Sequence, residues 1–329
     1  MKYLSALIVA SLILPSSELN AETFKNTNDN QNGKTFGQLM SWVLDGEKSP
    51  ERISIDTSDE WKTLDAQDDP YAIWIGHATY LINNGDINIL TDPIFSKRAS
   101  PLGFAGPKRM IPPAMSLEDL PTIDVVVVSH NHYDHFDLYS LKKLHKLNPE
   151  TVFLVPVGDK KRLKNRGLTH VHELRWWDSM QVGQTTIHFT PVQHWSKRGL
   201  FDRNKSLWGG WYFESNKLKL YHAGDTGYSN DFKTTYERLG APNYSFIPIG
   251  AYDPRWFMKD SHVNPEEAVQ IALDLKTPHS FGMHWGTFTL TDEPVAEPPQ
   301  RLKAELEAKD LSPDFFRSPK PGEILKLSK

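Results

Sequence analysis

The sequence predicts an α/β protein, a single domain in which two similar halves pack face to face as a sandwich. Three observations carry this. Residues 125–128 are four consecutive valines, which marks a strand covered on both faces, because β-branched side chains suit a pleated surface and a half-solvated strand would alternate with polar residues. An order of several strands followed by a helix occurs twice along the chain. Strand after strand also ends on a histidine or an aspartate, so the ends of the sheets gather one kind of chemistry.

The chain has 329 residues, enough for one large domain. Residues 1–21 stand apart: Lys2, an apolar run over residues 4–14 and the small Ala21 predict a secretory signal peptide, although Leu19 fits the cleavage pattern poorly. The run is short for a membrane span. The mature chain is expected to begin near Glu22 and to be exported, to the periplasm in a bacterial cell. Cysteine is absent, which removes disulfides, thiolate ligands and cysteine nucleophiles together. The net charge is -4, and it stays there when residues 1–21 leave with Lys2 and Glu18. A mildly acidic exported chain does not have the basic surface that nucleic-acid binding requires, so nucleic acid is not an expected partner. The oligomeric state is not legible, and a dimer stays open.

Residues 22–69 form a polar lead-in, Asn-rich and flexible in its first part, with a short amphipathic helix at 36–44 expected to dock on the main domain. The domain proper spans 70–329. Strands are expected at 71–75, 80–82 and 87–90, the last two joined by an Asn-Gly turn at Asn84-Gly85. A long Pro- and Gly-rich loop at 95–120 then leads to the valine strand. A helix at 138–147, a strand at 151–156 and a basic helical stretch at 160–165, read as a solvated face, follow. Further strands are expected at 171–177, 185–191, 208–213, 217–222 and 244–249. Asn264 caps a helix with Pro265 at its first position. A buried strand at 280–283 ends on His284, and the tail reads as Pro-interrupted helix and loop.

The valine strand runs directly into His130-Asn131-His132-Tyr133-Asp134-His135. Imidazole and carboxylate are the ligand types of zinc and similar divalent ions, and four of them within six positions at a strand end point to a metal site. Later strand ends deliver His194, Asp225 and His284. Seven such ligands suffice for two ions in one mouth, three protein ligands each and one carboxylate shared. His145, His170, His172, His188, His222 and His279 sit on helices, on surface-like strands or away from strand ends and are read as solvated or structurally hydrogen-bonded. His77 and His262 are intermediate, each flanking a loop within reach of the mouth.

This pattern resembles the metallo-β-lactamase superfamily, an αββα sandwich. The match narrows through Thr91-Asp92-Pro93, His194-Trp195, Ala223-Gly224-Asp225-Thr226-Gly227-Tyr228, the run from Ile247 through Tyr252 and Pro254 to Met258, His262-Val263 and His284-Trp285-Gly286-Thr287-Phe288. From about Tyr71 onward the chain is similar to the N-acyl-phosphatidylethanolamine-hydrolysing phospholipase D family and its bacterial relatives. The resemblance implies two zinc ions per chain, with iron or manganese as open alternatives. His130, His132 and His194 would hold one ion; Asp134, His135 and His284 the other; Asp225 would bridge. Asp134 is also expected to orient the attacking water, His262 to assist at the phosphate or leaving group, and Asp92 to support the site rather than ligate. The implied activity is a phosphodiesterase of phospholipase D type, releasing N-acylethanolamine and phosphatidic acid from a glycerophospholipid, with a lactonase or other ester hydrolase as the alternative. A catalytically silent metal protein has no need of a complete open site. The apolar Leu102 and Phe104, the stretch Trp256-Phe257-Met258, and Arg98, Lys108, Arg109 and Arg255 are expected to meet a peripheral membrane surface.

Overall fold

The valine run becomes the centre of a sheet. In the computed structural model, which describes residues 22–28, 30, 41, 54–64 and 69–328, strand β4 (Val125–Val127) lies between β3 (Asn88–Thr91) and β5 (Val152–Pro156), parallel to both. β1 (Tyr71–Gly76) and β2 (Thr79–Asn83) extend the sheet antiparallel on one side, and β6 (Val171–Leu174) closes the other. Alternate side chains face opposite ways along a strand. Val125 and Val127 join the core between the sheets, whereas Val126 and Val128 join a second core with Leu141 and Leu144 of helix α1 (Leu138–Leu147). Both faces are therefore covered, which is why no polar residue interrupts the run.

The second half repeats the plan. β7 (Ser179–Val182), β8 (Thr185–Thr190), β9 (Gly210–Glu214), β10 (Lys219–His222), β11 (Tyr244–Pro248), β12 (His279–Met283) and β13 (Phe316–Arg317) form a sheet in reverse sequence order. Trp74, Tyr80, Trp211, Phe213 and Phe246 fill the space between the sheets. Helix α2 (Lys160–Lys164) flanks the first half; α3 (Asp231–Leu239), α4 (Arg255–Met258), α5 (Pro265–Asp274) and α6 (Glu297–Ala308) belong to the second. Helix α5 begins with a capping box: the Asn264 side chain accepts from Glu267 N and the Glu267 side chain reaches back to Asn264 N. Among the described residues, no helix is long and apolar enough to cross a membrane.

Three departures from the sequence reading have physical causes. The tail carries two strands besides its helix, β13 and β14 (Ile324–Lys326), the latter pairing with β1 so that the chain's end closes the first sheet. Such short edge strands leave no alternation to read. Residues 22–28 are not a flexible lead-in: Phe24 is buried and its N–H bonds to Asn204 O at 2.8 Å. Residues 255–258 form helix α4 rather than an open loop. The expected signal peptide and the expected helix at 36–44 lie outside the described residues, apart from Ser41 within the latter.

Candidate metal centre

The strand ends converge as their residue types suggest. His130 Nε2 lies 2.8 Å from His132 Nδ1, and His194 Nε2 lies 3.3 Å from the same atom, so three imidazole nitrogens meet at one point. Asp134 Oδ2 stands 3.4 Å from both His135 Nε2 and His284 Nε2. Between the two sets sits Asp225, whose carboxylate oxygens come within 3.1 Å of His135 and of His284 and within 3.9 Å of His130. The structure thus brings all seven expected ligands together. His262 joins them, its Nδ1 3.9 Å from Asp225 Oδ2.

The donor set fits a metal. His135 Nε2, His284 Nε2, Asp225 Oδ1 and His262 Nδ1 are buried without a hydrogen-bond partner, even where another polar atom stands near. A cluster of orphaned buried donors and acceptors is costly unless something else satisfies them. His77, Asp134, His135 and His284 form one group able to hold an ion, and His130, His132 and His194 form another.

The far sides of the rings are fixed. Asp92 Oδ2 accepts from His135 Nδ1 at 2.8 Å and from the Ser129 hydroxyl at 2.6 Å, while that hydroxyl oxygen lies 2.9 Å from His130 Nδ1. His194 Nδ1 lies 2.9 Å from Ser261 O. An acceptor at Nδ1 keeps the proton there and leaves Nε2 free to ligate. One buried carboxylate, Asp92, therefore orients a ring in each set. Asp92→Ala is expected to weaken metal binding by about ten- to a hundredfold, as loss of such supporting groups does; unchanged binding by calorimetric titration would contradict this role.

Residues 87–285 match the β-lactamase superfamily domain. The chain belongs to the metallo-β-lactamase superfamily. Within it, the chain is 44% identical to N-acyl-phosphatidylethanolamine-hydrolyzing phospholipase D 1 of Caenorhabditis elegans, over 78% of this chain and 76% of that one. It is 40% identical to the mitochondrial N-acyl-phosphatidylethanolamine-hydrolyzing phospholipase D of Saccharomyces cerevisiae, over 71% of this chain and 51% of that protein. Among solved structures, the isothiocyanate hydrolase from Delia radicum gut bacteria overlays with a TM-score of 0.64 at 19% identity, covering 79% of this chain and all of that one. The αββα fold is thus that of the superfamily, and the protein is a metallo-hydrolase.

Charge in this superfamily site is divided between the sets. Burial holds His130 and His194 well below the ordinary histidine value and His132 at about 4, so these rings are neutral donors at neutral pH. Burial also opposes charge on His135 and His284, but Asp225 and Asp134 outweigh it, raising His135 well above its usual value and His284 to about 9. Burial likewise works against the ionised forms of Asp134 and Asp225, and the facing imidazoles overcome it, keeping both well below the carboxylate range. At pH 7, below the raised value of His284, the metal-free rings of His135 and His284 hold protons that a ligating nitrogen has to release. Metal loading at pH 7 is therefore expected to expel about two protons per chain. Titrations in buffers of different ionisation heat read this number, and zero release would contradict it.

His77, intermediate in the sequence reading, proves to support the site, and the role of Arg198 escaped that reading. His77 Nε2 lies 2.8 Å from Asp134 Oδ2, and its ring centre lies 4.0 Å from that of His284, the planes tilted by 40°. His77, Asp92 and His284 all have positive φ (56°, 36° and 62°), backbone strain collected at one site. Arg198 donates to Asn131 O and Phe136 O at 2.9 and 2.8 Å and lies 4.0 Å from the Tyr133 ring centre, clamping the histidine-rich loop. The role of Arg198 carries no local signal, because its partners are main-chain oxygens distant in sequence.

The expected membrane-facing set needs correction. Trp256 is 49% exposed, but Phe257 is 9% exposed and Met258 8%, packed beneath helix α4. Arg255 pairs with Glu267 at 2.7 Å and donates to His262 O at 2.8 Å, so it braces the loop that carries His262. Arg109 donates to Ile94 O and Ser96 O and stacks on Phe288. Leu102 and Phe104 are exposed as expected, and Leu200 and Phe201, which the sequence reading passed over, are exposed with them.

Proposed function

We propose that the chain is a dinuclear zinc phosphodiesterase of phospholipase D type. It cleaves N-acyl-phosphatidylethanolamine or a related glycerophospholipid on the headgroup side of phosphorus and releases N-acylethanolamine and phosphatidic acid. The observation that carries this reading is the Asp225 carboxylate, standing within 3.1 Å of His135 and His284 and 3.9 Å of His130, between two sets of three ligands. His130, His132 and His194 would hold one ion and Asp134, His135 and His284 the other, with Asp225 shared. When bound, such ions supply Lewis acidity and a water of lowered pKa.

The chain's own groups do the rest. Asp134, kept ionised and held by His77, orients the attacking water. His262, which burial lowers to about 4, faces the cluster as a neutral imidazole and can donate a hydrogen bond to a phosphoryl oxygen or to the leaving-group oxygen. Asp92 and Arg198 keep the ligand loop in place. A cavity of about 480 Å³ beside that loop, lined by Tyr133, Phe136, Tyr139, Arg162, Arg166 and Arg198, has the mixed cationic and aromatic walls that suit an amphiphilic anion. The names of the two phospholipase D relatives support the choice of lipid. The exposed Leu102, Phe104, Leu200 and Phe201 support working at a membrane surface.

A panel of N-acyl-phosphatidylethanolamine in mixed micelles, a lactone and a β-lactam, offered to zinc-loaded protein, tests the reading. Turnover of the phospholipid well above the other two is expected, and preferential lactone turnover would overturn it. Export is part of the same proposal. Mass spectrometry of the protein from a native-type host is expected to find Glu22 at its start, and an intact Met1 in a cytoplasmic fraction would refute it.

A further inference from the structure

The segment before the domain touches the metal centre. Asn26 is 9% exposed, and its Oδ1 accepts from the backbone N–H of His194 at 3.1 Å and from Trp208 Nε1 at 3.0 Å. Its Nδ2 donates to Asn30 O at 2.8 Å, which holds the segment in a turn. Asn28 Nδ2 donates to Gln193 Oε1 at 2.6 Å, Thr27 donates to Asp231 at 2.6 Å, and Asn30 Nδ2 donates to Asp260 Oδ1 at 2.9 Å. Gln193 in turn donates to Asp260 O at 2.9 Å, and Ser261 O lies 2.9 Å from His194 Nδ1. The segment therefore ties together the two stretches that carry His194 and His262.

We infer that residues 22–28, with Asn30, form a strap belonging to the metal centre, and that Asn26 is a positioning residue for an ion that His130, His132 and His194 would hold. The reason is local geometry. Strand β8 ends at Thr190, four residues before His194, so His194 stands beyond the regular ladder. The Asn26 carbonyl supplies an acceptor for its main-chain N–H and fixes where the ring begins, while Ser261 O fixes how the ring turns. A buried N–H left without its acceptor is costly, and the stretch shifts to recover one. A shift at His194 moves Nε2 away from His130 Nε2 and His132 Nδ1. The hydrogen bonds of Asn26 and Asn28 run to the stretch that carries His194 and to Trp208 and Asn30, so the effect falls on the set that contains His194. Four asparagine and threonine side chains over five positions, each aimed at the body of the domain, are more than anchoring a terminus requires.

This inference rests on the two-ion reading, and the experiment separates the two. Full-length protein stripped of metal is titrated with zinc as wild type, Asn26→Ala, Asn26→Asp and Asn28→Ala; the step that disappears in His132→Ala is the step of the first set. Asn26→Ala is expected to weaken that step by about ten- to a hundredfold and leave the other unchanged. Asn26→Asp, which keeps an acceptor oxygen, is expected to retain most of the affinity. Asn28→Ala, a milder change at an exposed residue, is expected to weaken the same step by a smaller factor and gives a reading should Asn26→Ala fail to fold. Unchanged zinc steps in Asn26→Ala and Asn28→Ala would overturn the inference. So would equal weakening of both steps with a lowered melting temperature of the metal-free form, which would make the strap packing alone. A wild type with a single zinc step would refute the two-ion reading instead, and Asn26 would then be judged on that step.

Discussion

Asp225→Asn is expected to fold normally and to lose activity on the order of a hundredfold or more, about 3 kcal/mol of transition-state stabilisation. Asparagine keeps the shape of the side chain, so packing at this 2% exposed position is preserved. It loses the charge that faces His135 and His284 at 3.1 Å and one of the two oxygens able to reach both ligand sets. Removing one partner from a buried charged cluster leaves the others uncompensated. Zinc content measured on the purified variant is expected to fall below that of wild type. Near-full activity with full metal content would show that Asp225 joins nothing.

Removing the metal is expected to lower the melting temperature by roughly 10 °C. An ion at about a thousand times its dissociation constant contributes about 4 kcal/mol to the folded state, and each kcal/mol moves a domain of this class by ~2–4 °C. The metal-free centre is not bare charge, because protonated His135 and His284 face ionised Asp134 and Asp225 and offset part of the loss. The orphaned Nδ1 of His262 stays unsatisfied. A scan with and without chelator measures the difference. Equal melting temperatures would mean that the cluster folds as well without an ion as with one.

Much of this architecture was legible because it rests on local pattern. Four valines need cover on both faces, and they have it from the opposing sheet and from helix α1. Asn264 followed by Pro265 announces a helix start that the capping box realises. The ligand loop is dense in chemistry, and the isolated His194, Asp225 and His284 could be gathered because each follows a strand. What escaped is non-local. Asn26 acts on a residue 168 positions away. His77 reads only as a residue within reach of the mouth, and its partner Asp134, 2.8 Å away, is set by the fold. Trp256-Phe257-Met258 read as an exposed apolar stretch in a connection; Pro254 is the N-cap of helix α4, which buries two of the three. The short strands β13 and β14 gain their order from pairing with β12 and β1, a tertiary effect with no sequence period.

The central claim is attack on phosphorus, and heavy-oxygen water tests it most directly. Zinc-loaded protein is incubated with N-acyl-phosphatidylethanolamine in labelled water, and any products are weighed by mass spectrometry. Cleavage by attack of water on phosphorus with departure of the headgroup alkoxide places the label in the phosphate of phosphatidic acid and leaves N-acylethanolamine unlabelled. Label in a released fatty acid would mean attack at a carbonyl, the chemistry of an ester or amide hydrolase, and would contradict the account.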